Sequence, residues 1–438
     1  MARRGEIVGA VDFGAHEVRV LVAEKGHDGA VRVLGHGAAP SRGCVMQGVI
    51  QDLSAAQRAL KLALSTAEKE AGKTVPKLFC GVNGQSVEAH VREGKAKVEK
   101  EMVELSHMEE ALEIASRNIL SPGKKVVSSI SAQEWYVDDL RVSDPIGIRG
   151  SVIKTRVHFA LLPSVIEDNI NTVIESQGRE LEDVVYLPLA SAMGCLTPED
   201  MELGVCVVDI GRTTCGLAMY RDRKIVATHS FDWGGFHITR DVAAGLQVSF
   251  EEAVELIQEY GIADELLSKL QDTNIYRLEG TTGRPAHGGS AAVERTAHIK
   301  LKSAVRGAPS VADRAMLEMI IFERSKELIN AIYKHLDDKN HLDNLVRGVV
   351  MVGGTARIRN LDTLAAAVFQ APARAGVPDG VDVLPPQVNA SEWVPAVGIV
   401  KHGLLYRDAI RSGRIEIQRG PMGNLLRKTG KFIGKYFF

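Results

Sequence analysis

The chain has 438 residues, 45% hydrophobic and 25% charged, the balance of a soluble globular protein with more than one lobe. A formal net charge of −2 gives no support to nucleic-acid binding, and five scattered cysteines without a C-x-x-C pair suit a reducing compartment. No apolar run is long enough for a signal peptide before Asp12 or for a spanning helix anywhere, so the chain reads as cytosolic or lying on a cytosolic surface.

The first element is EIVGAVDFGAHEVRVLVAE, residues 6 to 24. It comprises an apolar strand closed by Asp12-Phe13-Gly14, a polar break and a second apolar strand. An amphipathic helix follows over 51 to 71. Residues 84 to 160 mix a charged helix, HMEEALEIASRNI, with strand-like SISAQEWYV and KTRVHFALL, a small α+β unit inserted in the first lobe. A second amphipathic helix covers 164 to 177. ELGVCVVDIGRTTCGLAMY, residues 202 to 220, then repeats the opening pattern around Asp209-Ile210-Gly211. Residues 281 to 312 are rich in Gly, Ala and Pro and read as a loop. In LEMIIFERSKELINAIYKHL, residues 317 to 336, Leu317, Ile320, Ile321, Leu328 and Ile329 recur at helical spacing, one face turned to the core. RGVVMVGGTARIRNLDTLAAAVF, residues 347 to 369, carries a strand into Gly353-Gly354 and a helix from about Ile358.

The terminal stretch GPMGNLLRKTGKFIGKYFF reads as a helix. On a helical wheel Met422, Leu425, Leu426, Phe432, Ile433, Tyr436 and Phe437 share an arc of roughly 140°. Arg427, Lys428, Lys431 and Lys435 lie opposite. Aromatics on one face and basic residues on the other suit the interface of an anionic membrane, at about 1 kcal/mol for each basic residue. Glycines 423, 430 and 434 lower helix propensity in water, so folding would wait for that surface.

One Asp-x-Gly hairpin is a common turn. Two with matched strands point to duplicated lobes facing one cleft. With the Gly-Gly turn they resemble the actin-like ATPases, which include actin, heat-shock chaperone ATPases and sugar kinases. Within that superfamily the chain is similar to the bacterial cell-division FtsA family over nearly its whole length. The blocks that carry this are APSRG at 39 to 43, GVIQDL at 48 to 53, QEW at 133 to 135, DPIGIRG at 144 to 150 and KTRVH at 154 to 158. PLASAMGCLTPEDMELGVCVVDIG at 188 to 211 is the most specific, and GRP at 283 to 285 adds to it.

The resemblance implies an α/β, two-lobed actin-like fold with a small α+β subdomain inserted in the first lobe and a C-terminal amphipathic helix. The first lobe would take residues 1–83 and 164–200, with the FtsA-type insertion at 84–163 serving self-association. The second lobe would take 201–244 and an outer subdomain at 245–345, its core returning to the first lobe over 346–407. A linker at 408–419 would lead to a membrane-targeting helix at 420–438.

The resemblance also assigns residues. Asp12 and Gly14 would line the first phosphate loop, with Asp209, Gly211, Thr213 and Thr214 in the second. Gly353 and Gly354 would pass the adenosine of ATP, and Asp12 and Asp209 would hold Mg²⁺ through water. Arg324, Glu327 and Asn330 would receive the C-terminal tail of the tubulin-like protein FtsZ, although spacing alone fits an Arg324–Glu327 surface pair equally well. Leu425, Leu426, Arg427, Lys428, Lys431, Phe432, Ile433, Lys435, Tyr436 and Phe437 would touch anionic lipid.

Several positions depart from the family pattern. Arg212 and Thr213 replace loop glycines, Gly216 replaces an acid, and Ala15 and His16 stand where a hydroxyl and often a lysine occur. Leu187 takes the place of a water-orienting polar residue. Adenine-contacting positions fall on Val254 and Ile257, or one residue on at Glu255 and Gln258. Arg212 is either a compensating cation for phosphate or a surface arginine paired elsewhere. These departures leave nucleotide binding in place and hydrolysis weak at most.

The function implied is a peripheral adaptor on the cytoplasmic side of the membrane at the division septum, binding FtsZ, itself and other divisome proteins. An active actin-fold phosphotransferase or ATPase, or a pilus-assembly actin-like adaptor, are the alternatives.

Overall fold

The computed structural model describes residues 5–99, 102–117, 123–275, 298–302, 310–339, 341–342, 345–411, 415–420 and 423–428. The chain opens with the expected hairpin, β1 (Glu6–Phe13) and β2 (Glu17–Lys25), continued by β3 (Val31–Pro40). A short ribbon of β4 (Val45–Met46) and β5 (Val49–Ile50) leads to α1 (Leu53–Ala71) and β6 (Lys77–Val82). Asp52 caps α1, its carboxylate accepting from the Ala55 N–H, and Gly72 ends it in the left-handed region.

The inserted unit is β7 (Glu88–Lys97), α2 (Leu105–Ser116), β8 (Lys124–Val137), β9 (Leu140–Val142) and β10 (Val152–Pro163). Its antiparallel sheet runs β7-β10-β8-β9. Met108 and Ala111 of α2 pack on Trp135, Val137 and Ile153 as a small core of their own. The chain then returns through α3 (Ser164–Glu175), β11 (Glu180–Tyr186), α4 (Leu187–Cys195) and α5 (Pro198–Leu203).

The second lobe repeats the first. Its strands are β12 (Val205–Ile210), β13 (Cys215–Arg221) and β14 (Lys224–Phe231). Helices α6 (Gly235–Leu246), α7 (Phe250–Tyr260) and α8 (Asp264–Ile275) follow, then the strand pair β15 (His298–Lys300) and β16 (Val311–Asp313). Those two strands occupy the described parts of the stretch expected as a loop. Next come α9 (Arg314–Asp337), β17 (Gly348–Val352), α10 (Leu361–Phe369) and β18 (Ala373–Ala375). The helix after Gly353-Gly354 begins at Leu361 rather than near Ile358, because a 3₁₀ turn over Gly354–Arg357 and a left-handed Asn360 intervene.

One large sheet has the order β11-β6-β1-β2-β3 and the other β18-β17-β12-β13-β14. In each, the hairpin is antiparallel and the strand on its other side is parallel. Asp12 pairs with Gly81 in the first and Asp209 with Val352 in the second, at matching strand ends. The two lobes are one pattern used twice.

Helix α11 (Val394–Arg411) crosses α4 closely. A Cβ on Gly398 would lie 1.7 Å from the Ala190 carbonyl oxygen, and one on Gly194 would lie 2.3 Å from that of Val394. Only glycine permits this approach, and α4 thereby reaches both β11 and β12. Helix α11 extends to Arg411, into the stretch expected as linker.

The chain finishes in β19 (Ile415–Gly420) and β20 (Gly423–Lys428), an antiparallel pair. This corrects the described part of the helix expected over 420–438: Leu425, Leu426, Arg427 and Lys428 lie in a strand. Gly420 and Gly423 are partners in that ladder, and glycine lowers helix propensity. Lys431, Phe432, Ile433, Lys435, Tyr436 and Phe437 lie outside the described residues.

Candidate functional site

The two Asp-x-Gly loops close by the same turn. The Gly14 N–H donates to the Glu17 carbonyl at 3.1 Å, and the Gly211 N–H to that of Thr214 at 2.9 Å. Asp12 and Asp209 stand buried at the strand ends. Gly353, with φ of 87°, passes over the second: a Cβ there would lie 2.5 Å from Asp209 Oδ1. A cavity of about 260 Å³ lies between the lobes. Asp12, Gly14, Asp209, Gly211, Thr213, Thr214, Gly353 and Gly354 all line it, so residues from three distant segments meet as expected.

Burial pushes the Asp209 carboxyl up to about 7, with the charge of Asp12 adding to the shift and the Ser191 hydroxyl opposing it. Burial also raises Asp12, against the pull of Arg19. Two carboxylates out of water and repelling one another suit a divalent cation. Among the described residues no three His, Cys, Asp or Glu side chains converge to hold a metal unaided. A Mg²⁺ ion held here would need water or phosphate oxygens to complete its shell, which fits these two residues in that role.

Both side chains that replace loop glycines reach across to the first lobe. Arg212 Nη1 donates to His16 Nδ1 at 3.3 Å, and its guanidinium lies 5.4 Å from the Phe236 ring centre. The Gln47 N–H donates to Thr213 Oγ1 at 3.0 Å. Among the described residues Arg212 forms no ion pair with a carboxylate; it lines the cavity and touches His16 and Phe236. Neither residue adopts a positive φ, so the loop carries both side chains without backbone strain.

Leu187 lines the cavity as an apolar wall. Val254, Ile257 and Gln258 line it too. Glu255 turns away to an ion pair with Lys302 at 2.8 Å. Seven polar residues of the lining had no role in the sequence reading: Glu17, Arg19, Asn83, Thr239, Thr355, Arg357 and Glu392. Arg19 was legible in the hairpin register, which places it directly opposite Asp12. Thr355 donates to the Gly211 carbonyl at 2.9 Å. Asn83 and Glu392 come from segments with no local signal and are delivered by tertiary folding.

The second predicted surface is on α9. Leu317, Ile321, Leu328 and Ile329 are buried and Ile320 partly so, as the spacing requires. On the outer face Glu323, Arg324, Lys326, Glu327 and Asn330 line one shallow depression. Arg324 is already paired twice, with Asp241 and with Glu327, each at 2.5 Å. The i,i+3 surface pair is therefore present.

Duplicated sheets with a carboxylate at each hairpin and a small α+β unit inserted in the first lobe define an actin-like protein. A family model described as "Cell division protein FtsA" matches residues 206–398, and one described as "SHS2 domain inserted in FTSA" matches 84–161. The chain belongs to the FtsA family of cell-division proteins.

Among its relatives, the cell division protein FtsA of Streptococcus pneumoniae serotype 2 is 29% identical over 99% of this chain and 89% of its own. That of Pseudomonas aeruginosa is 27% identical over 91% and 90%, and that of Escherichia coli K12 is 24% identical over 99% and 98%. Of solved structures, the PilM-PilN type IV pilus biogenesis complex aligns with a TM-score of 0.58 at 14% identity, over 91% of this chain and 98% of that one. MreB 5 of Spiroplasma citri bound to AMPPNP aligns at 0.53 and 14%, over 93% and 99%. These two share the fold.

Proposed function

We propose that this protein is an adaptor that ties FtsZ filaments to the cytoplasmic face of the cell membrane at the division septum, self-associating and recruiting other divisome proteins. The observation that carries this reading is the outer face of α9, where Arg324, Glu327 and Asn330 line one depression in a chain of FtsA type. An arginine fork pairs with carboxylates while its stem covers apolar surface, which suits an acidic-apolar peptide. The peptide's acid would take the place of Asp241 or Glu327 on the guanidinium. Lipid contact falls to residues 420–438, whose lysines and aromatics suit an anionic interface. No helix among the described residues is long and apolar enough to cross a membrane, which suits a peripheral attachment.

In the same reading the cleft holds an adenine nucleotide, ATP or ADP, with Mg²⁺ on Asp12 and Asp209. Arg19, opposite Asp12 on β2, adds a cation to the phosphate end. Hydrolysis is near background, because Leu187 presents no polar group to orient a water. Sedimentation of FtsZ with anionic liposomes tests the adaptor. The full chain should carry FtsZ down with the vesicles and a chain lacking 420–438 should not. FtsZ that stays in the supernatant with the full chain present would refute the reading.

A further inference from the structure

The two cross-lobe contacts made by the second loop have one consequence for ligand choice. Arg212 and Thr213 stand where glycines would leave the cleft open between the hairpin tips. Arg212 instead touches His16 at the tip of the first loop, and Thr213 accepts from Gln47 on the β4–β5 ribbon. Arg212 is held there from behind. Its carbonyl accepts from the Phe236 N–H at 2.7 Å, and Phe236 stacks on Phe250 with ring centres 5.5 Å apart. A guanidinium only donates, so His16 Nδ1 is the acceptor and the imidazole is neutral with its proton on Nε2. Burial lowers the His16 pKa, Arg212 and Arg19 add to this, and Glu17 opposes it, which keeps the ring in that form.

Val254, Ile257, Gln258, Gly353 and Gly354 line the same cavity as Asp12 and Asp209, and His16, Arg212 and Thr213 line it with them. The Arg212 and Thr213 side chains therefore take up cleft space that loop glycines would leave open to a ligand.

We infer that Arg212 and Thr213 set the length of phosphate chain the cleft accepts, their side chains taking the place of a third phosphate so that the site selects a nucleoside diphosphate over a triphosphate. This rests on the adenine-nucleotide reading above. The side chains also supply, without ligand, the bridge between lobes that a terminal phosphate would otherwise make.

Calorimetry of the full chain with ADP, ATP and AMP in Mg²⁺ buffer tests it. The parent should bind ADP about tenfold or more tighter than ATP. The double variant Arg212→Gly, Thr213→Gly should gain about tenfold or more in ATP affinity while ADP stays within about threefold. His16→Ala, which removes the partner without altering the second loop, should move ATP the same way by less and serves if the double variant does not fold. ATP binding as tight as ADP in the parent, or ATP affinity lost in the variants, would overturn the inference, the latter by making Arg212 a phosphate ligand. No binding of any of the three nucleotides by any of the proteins would instead remove the nucleotide reading itself.

Discussion

Ser191 Oγ donates to Asp209 Oδ2 at 2.9 Å, so the middle of α4 supports a carboxylate at the end of β12 in the other lobe. The bond offsets only part of what burial and Asp12 impose on that group. An aspartate whose pKa rises on folding costs stability once pH exceeds its unfolded value near 4, and the cost is complete above its folded value near 7. Asp209→Asn keeps an acceptor for Ser191 and removes the charge. It should stabilise the ligand-free protein by on the order of 2 kcal/mol at pH 8 and by little near pH 4. The same change should weaken Mg²⁺-dependent nucleotide binding. Urea midpoints at the two pH values check the first part. A variant less stable than the parent at pH 8 would mean that Asp209 is not strained.

A titration of opposite sign is built into the contact of the inserted unit with the second lobe. His158 on β10 shares a 2.8 Å hydrogen bond with Thr228 on β14 through Nε2, and Nδ1 is buried with no partner among the described residues. Burial lowers its pKa to about 4, with His90 adding to the shift. Since the unfolded chain then binds the proton first, stability is full above about pH 6.5 and is lost as pH falls toward 4, up to roughly 3 kcal/mol. His158→Gln keeps a partner for Thr228 and cannot titrate. Its stability between pH 7 and 5 should fall by about 2 kcal/mol less than that of the parent. Parallel stability curves for the two proteins over that range would refute the assignment.

These two residues show what was readable in advance. Asp209 announced itself because a strand ending in Asp-x-Gly is a local signal, and its repetition around Asp12 gave the duplicated lobes. His158 was quoted only as part of a motif, since its burial depends on β14 arriving from seventy residues away. Ser191 and Asn83 were silent for the same reason. The open choice between adenine-side positions could not be made by counting. Residues 254, 257 and 258 all face the cavity because they share one side of α7, whereas Glu255 does not. The helical wheel failed at Leu425 to Lys428 for a different reason. A wheel scores only the side chains, and there the paired glycines at 420 and 423 set the backbone.

On α9 the paired state of Arg324 sharpens the test of the FtsZ site. Arg324→Glu should weaken binding of an FtsZ tail peptide by about tenfold or more where the peptide takes the contact out of water. Asp241→Asn should do the reverse, because it releases one of the two carboxylates that compete for the guanidinium. A gain of a few-fold in affinity is expected, as exposed pairs contribute up to about 1 kcal/mol. Fluorescence anisotropy with a labelled peptide measures both. Unchanged affinity in both variants places the peptide elsewhere on residues 245–345.

The tail provides a separable measurement. Residues 420–438 contain six Lys and Arg or aromatic positions beyond Thr429, namely Lys431, Phe432, Lys435, Tyr436, Phe437 and Phe438, together with Ile433. Aromatic rings seat at the boundary between head groups and acyl chains, and lysines remain at the anionic surface. Replacing Phe432 and Ile433 by Glu puts two charges where apolar groups would enter the bilayer and opposes the basic residues beside them. Vesicles rich in anionic lipid should therefore retain the parent and release the Phe432→Glu, Ile433→Glu variant, as they should release a chain ending at residue 419. Raising salt should weaken the parent's binding without abolishing it, because screening removes the charge contribution and leaves the apolar one. Peptide binding at Arg324 should be the same in all three proteins, since among the described residues the α9 depression is lined by residues 323–330 alone. Equal flotation of the parent and the double variant would show that the membrane contact is made by another part of the chain.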